Sequence, residues 1–162
     1  MPDIFNFVSR NFWLLALGFA LFNFVVAHRA ASRQSTEASV LEAVAYVRKF
    51  ALASAIPWVI MGVGQLSGAT PTVWQYFRPQ DGSPFVLAWL ASIFVLSCVF
   101  AWWALFANGA EVVAKYNLMT VLGQRGTKIS SVRSIKLFAL LGVLVFPVWV
   151  YMAVSMNVPL PR

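Results

Sequence analysis

The chain has 162 residues, 60% of them apolar and 10% charged, against about 45–50% and about 25% in soluble domains. That composition sets aside an ordinary soluble core and points to an all-α integral membrane protein. The net charge of +7 is not a nucleic-acid signature. The basic residues lie in short loops between apolar runs, where positive charge orients a membrane protein and meets anionic head groups. No nucleic-acid partner is expected.

Four apolar runs, at about 11–27, 49–66, 85–107 and 136–156, are each of the order of the roughly 20 residues that cross a bilayer. They predict one polytopic domain over 1–162, a four-transmembrane-helix bundle. In it, helices two and three extend on the cytoplasmic side, and helices two and four are kinked by proline. Ahead of the first run, Ile4, Phe5, Phe7 and Val8 predict an amphipathic segment in the interface. Asp3 precedes a single Arg10, so the basic leader of a signal peptide is missing, and the run is expected to remain as a span.

Span one is short, with Arg10 and Arg29 placed to snorkel to either surface. Ala16, Gly18 and Ala20 permit close helix approach. Asn23 is expected to hydrogen-bond across helices, with a substrate or ion ligand as the sharper alternative. His28 reads as an interfacial residue that ends the span, or as a pH sensor. Arg33 continues the basic loop. Ser35 or Thr36 can cap the next helix, with Glu37 in its first turn. Ser39-Val40-Leu41-Glu42 forms a second capping signature. A helix is therefore expected from about residue 36, running along the surface before Arg48 and Lys49 mark the interface. Within span two, Pro57 predicts a kink and a freed carbonyl, for which Ser54 is a candidate partner.

The loop 67–84 holds Gly68, Pro71, Pro79, Gly82 and Pro84 around Trp74, Tyr76 and Phe77. It reads as an aromatic belt lying flat among head groups, with a ligand-covering segment as the alternative. Span three sits in a stretch, 83–110, without a charged side chain. Beyond it, Asn108, Glu111 and Lys115 share a helical face, and Glu111 and Lys115 have i,i+4 spacing. The helix is expected to continue to about Leu122 and to break at Gly123 and Gly126. This charged face is a solvated surface, a docking surface, or a proton or ion site. Arg125, Lys128, Arg133 and Lys136 precede span four, in which Pro147 predicts the second kink.

Nine Lys and Arg lie in 28–49 and 108–136, against three elsewhere (Arg10, Arg78 and Arg162). This bias predicts cytoplasmic loops at 28–49 and 108–136 and both termini outside. Cys98 is the only cysteine, which excludes an intrachain disulfide, and one histidine excludes a bis-histidine haem. No catalytic, metal or nucleotide motif is visible. No cofactor is expected. The functional expectation is a non-enzymatic protein of an inner or plasma membrane that binds another membrane protein through its helices, of the accessory-subunit or toxin-immunity type, or that assembles with itself. An oligomeric channel or small-solute transporter is the alternative. A lipid- or quinone-handling enzyme is the third reading.

Overall fold

A computed structural model describes residues 2–32, 36–116 and 131–155. Arg33, Ser35, Arg125, Lys128 and the expected continuation from residue 117 to Leu122 lie outside the described residues, as do Gly123 and Gly126. The described regular elements are all helical: α1 (Pro2–Arg10), α2 (Phe12–Ala31), α3 (Glu37–Leu66), α4 (Pro84–Phe106), α5 (Gly109–Tyr116) and α6 (Val132–Ser155), with 3-10 turns at Val73–Phe77 and Pro79–Asp81.

Helices α2, α3, α4 and α6 are long and apolar enough to cross a membrane, the arrangement of a multi-pass membrane protein. At 1.5 Å per residue, even α2 reaches about 30 Å, the thickness of the hydrocarbon layer. It is longer than the expected span 11–27 because the helix runs on through His28 and Arg29 to Ala31. The main contacts run from α2 to α3, from α3 to α4 and from α4 to α6, and α5 packs on α4 and α6. Helix α2 therefore stands at the edge of the row. In its apolar window only Ala16 is buried, and Phe19, Leu21 and Phe22 are exposed. Apolar side chains on such a surface are at home in lipid, which is as apolar as leucine.

The row has two unlike ends. One, the basic end, carries the end of α2, the start of α3, α5 and the start of α6. The other, the aromatic end, carries α1, the 67–83 segment and the end of α6. At the basic end, Thr36 caps α3. Its hydroxyl accepts from Ser39 N, and its own N–H donates to Ser39 Oγ, each at 3.3 Å. Ser39 thus completes the box begun by Thr36. The second signature, Ser39 to Glu42, is not a cap, because it already lies inside the helix. Helix α3 then runs through Pro57 to Leu66. Ser54 does not serve the carbonyl that Pro57 leaves free: its hydroxyl donates to Ala51 O at 3.0 Å.

At the aromatic end the expected flat belt is replaced by a plug. Tyr76 is fully buried. Its hydroxyl donates to Met61 O at 3.3 Å and meets Thr70 Oγ1 at 2.9 Å. Since the phenol proton is committed to Met61, the Thr70 hydroxyl donates to Tyr76. Burial pushes the Tyr76 phenol above its ordinary range, which keeps it protonated and able to donate. The ring stands edge-on to Trp89 with centroids 5.4 Å apart, and Trp89 meets Trp149 at 6.2 Å. Three elements (the loop, α4 and α6) are thereby tied by aromatic contacts, each contributing about 0.5–1.5 kcal/mol beyond burial. Helix α1 lies against the same end. The Gln65 side-chain amide donates to Ser9 O at 3.1 Å, Phe5 stacks on Trp74 at 5.7 Å, and Ile4 and Phe7 remain exposed. That is the placement of an interfacial helix.

The expected continuation of span three fails at Ala107-Asn108. Helix α4 ends at Phe106, and Asn108 takes a left-handed conformation with φ 58°. Asparagine tolerates that region because its short amide side chain fits there. Its carbonyl then accepts from Glu111 N at 3.1 Å and Val112 N at 3.2 Å, which starts α5 in a new direction. Gly109 is buried directly on the Trp103 indole.

Candidate functional site

The charged end of α5 does not stand alone in solvent. Tyr116 is buried, its ring stacked on Tyr46 at 6.3 Å, and its hydroxyl donates a short hydrogen bond to the Glu42 carboxylate on α3. Lys115 Nζ lies 3.7 Å from the same carboxylate and 4.6 Å from the Tyr116 ring centroid. The Lys115 ammonium is pushed above the ordinary lysine range, first by its hydrogen bond with Tyr116 and then by the charge of Glu42. A raised lysine contributes its share below the ordinary lysine pKa and loses it as pH rises through the raised value, so this contact persists at neutral pH. Being exposed, the ion pair is worth little alone. The buried Tyr116 ring and its charge-assisted bond carry the joint. Ala31, Ala43 and Val47 pack with Tyr116 in one apolar cluster, so α2, α3 and α5 meet there.

The expected partnership of Glu111 and Lys115 is therefore replaced. Lys115 turns to Glu42, and Glu111 is exposed without an ion pair among the described residues. The Asn108 side chain is exposed, and its structural work is done by its backbone. Asn108, Glu111 and Lys115 are all exposed, and no hydrogen bond or ion pair joins their side chains among the described residues. His28 is half-buried, with its ring 5.6 Å from Phe24. Arg29, Arg48, Lys49 and Arg133 are exposed, and Lys136 is half-buried. Lys49 Nζ stands 5.9 Å from the Tyr46 ring centroid. Sequence reading missed Glu42 and Tyr116 as partners, since 74 residues separate them. The available signal was an acid, Glu42, in the first turns of one predicted helix and a tyrosine, Tyr116, on the apolar side of another.

The second feature is the seam between α2 and α3. On one flank a groove of about 450 Å³ is lined by Phe12, Ala16, Asn23, Phe24, Ser54 and Trp58, among others. On the other, a groove of about 430 Å³ runs from Arg48 past Leu17, Leu21 and Leu52 to Ala55. Ala20, Phe24 and Ala51 line both. Small side chains at Ala20 and Ala51 let the helices approach, while the larger neighbours hold the flanks open. Asn23 is exposed on α2 and has no hydrogen-bond partner among the described residues. Pro57 is buried in α3, and Pro147 is exposed on α6.

Chemically, the basic end offers one carboxylate, one phenol and one ammonium already committed to each other. No group of three or more His, Cys, Asp or Glu that could hold a metal occurs among the described residues. Left uncommitted among the described residues are Asn23, Glu37, Glu111, Arg29, Arg48, Arg133 and the α2 face. No protein-family model, curated protein or solved structure matches this chain.

Proposed function

We propose that the protein is a non-enzymatic, small multi-pass membrane protein that binds another membrane protein through its helices, as an accessory subunit or an immunity-type factor does. The observation that carries this reading is Asn23. Its amide sits in the middle of α2, the helix at the edge of the row, where it is exposed and finds no partner among the described residues. An amide in hydrocarbon is costly to leave unpaired. A polar group on a neighbouring helix recovers roughly 1 kcal/mol. The edge position of α2 leaves room for such a helix. The basic end of the protein is cytoplasmic in this reading, with both termini outside, α3 and α5 projecting beyond the membrane, and Pro57 and Pro147 bending α3 and α6. The apolar lining of the seam gives the channel alternative less to work with.

Asn23→Leu should reduce recovery of a co-purifying membrane protein in mild detergent about fivefold, with the abundance of the chain itself unchanged. Full recovery with leucine in place would sink the reading. The orientation has its own test. A reporter fused after Arg162 should be active outside the cytoplasm, and cytoplasmic activity would reverse the topology.

A further inference from the structure

We infer that the α2–α3 groove headed by Arg48 is a binding site for an anionic phospholipid, with one acyl chain along the groove and the phosphate against the Arg48 guanidinium. The inference is independent of any protein partner. The groove has two chemically distinct parts. Leu17, Leu21, Phe24, Leu52 and Ala55 make its walls apolar, and Arg48 stands at one end as the only charged residue lining it. Arg48 has no acidic partner among the described residues. A guanidinium at the mouth of an apolar slot is a complement to a phosphate that carries a hydrocarbon chain.

Depth and position agree with that occupant. From Arg48 to Ala55 the helix advances about 10 Å, within the roughly 15 Å of hydrocarbon that one leaflet provides. The volume, about 430 Å³, suits a chain rather than a whole lipid. The Arg48 end is also the basic end, where His28 and Arg29 lie in the last turn of α2. Two acids are near in sequence. Glu42 is already held by Tyr116 and Lys115, which leaves Glu37 at the start of α3 as the one uncommitted carboxylate on these two helices among the described residues. The local balance is positive. Basic pockets between spanning helices are the usual setting for anionic head groups.

The purified full chain in neutral detergent tests this by native mass spectrometry. The probes are phosphatidylglycerol, phosphatidylcholine with the same acyl chains, and glycerol phosphate. Phosphatidylglycerol should be retained about fivefold over phosphatidylcholine, the preference expected from one basic residue at the surface. Arg48→Gln should bring the two lipids level, and Arg133→Gln should not. Ala55→Phe, which fills the slot and leaves the charge, should lower retention of both lipids. Circular dichroism confirms that the variants are folded, and a folded result is expected because Arg48 is exposed. Equal retention of both lipids by the unaltered chain would overturn the site. So would a preference that survives Arg48→Gln, or an equal loss with Arg133→Gln. Displacement of phosphatidylglycerol by glycerol phosphate at matched concentration would reassign Arg48 to free phosphate and overturn the acyl groove.

Discussion

Gly64→Ala is expected to destabilise the protein by about 1–4 kcal/mol, although the same change in an open helix position stabilises. Two effects compete. Alanine gains up to about 1 kcal/mol over glycine in a helix interior. At Gly64 the added Cβ would stand 2.5 Å from both Thr70 Oγ1 and Tyr76 Oη and 3.0 Å from Phe85 Cβ. The two hydroxyls cannot keep their bonds to each other and to Met61 O with a methyl between them and the helix. Each buried hydroxyl left unsatisfied costs about 1–3 kcal/mol, so the loss outweighs the propensity gain. Gly18 and Gly142 provide the controls, since a Cβ at either meets nothing within 4 Å. Gly18→Ala and Gly142→Ala should be neutral or slightly stabilising. The midpoint of unfolding in a denaturing detergent, followed by tryptophan fluorescence, separates the three. Combining Gly64→Ala with Tyr76→Phe and Thr70→Ala removes the obstructing oxygens and should return part of the loss. If Gly64→Ala matches Gly18→Ala, the plug does not hold this end.

The four spanning helices were legible because a bilayer asks only for length and hydropathy, and neither depends on what a helix touches. The start of α3 was legible too, since a cap is read from residues three apart, and Thr36 with Ser39 supplies one. What stayed hidden depends on contacts across the fold. Tyr76 among turn formers looks the same whether it floats among head groups or fills a core. What decides is the bare backbone of Gly64, twelve residues away and on another element. The break after α4 was hidden for a different reason. The Glu111–Lys115 spacing argued for one continuous helix, but such a pair is worth only about 0.3–0.5 kcal/mol. Glu42 on α3 takes Lys115 and Tyr116 instead, and that buried joint outweighs a surface pair. Asn108-Gly109 carried the signal locally: asparagine accepts the left-handed region, and glycine accepts a ring against its Cα. For Asn23, sequence pointed to a hydrogen bond across helices but could not give its face, which emerged only with α2 at the edge of the row: the side chain is exposed and no such bond forms among the described residues.

Gly109→Ala should open the α4–α5 corner at a cost of about 2–3 kcal/mol or more. A Cβ there would lie 2.5 Å from Trp103 Cε3 and closer still to Cδ2. The indole has little freedom to retreat. Its ring centroid is 5.4 Å from Phe50, 5.9 Å from Tyr46 and 6.2 Å from Phe100, so a shift passes into α3. Either Trp103 leaves that aromatic group or α5 lifts away from it. Lifting α5 breaks the Tyr116–Glu42 bond and frees the buried Tyr116 ring, which places the effect at the basic end rather than at the glycine alone. Hydrogen exchange across 109–116 in mild detergent should therefore accelerate in Gly109→Ala, while the aromatic end, 61–90, keeps its protection. Shrinking the obstructing ring, in Gly109→Ala with Trp103→Leu, should recover part of the protection of α5. Asn108→Gly keeps the left-handed corner and should leave exchange in α5 unchanged. Asn108→Val forces a β-branched residue into that corner and should cost about 1–2 kcal/mol. If Gly109→Ala leaves α5 fully protected, the corner is not held by the glycine–tryptophan contact, and the joint at Glu42 alone positions α5.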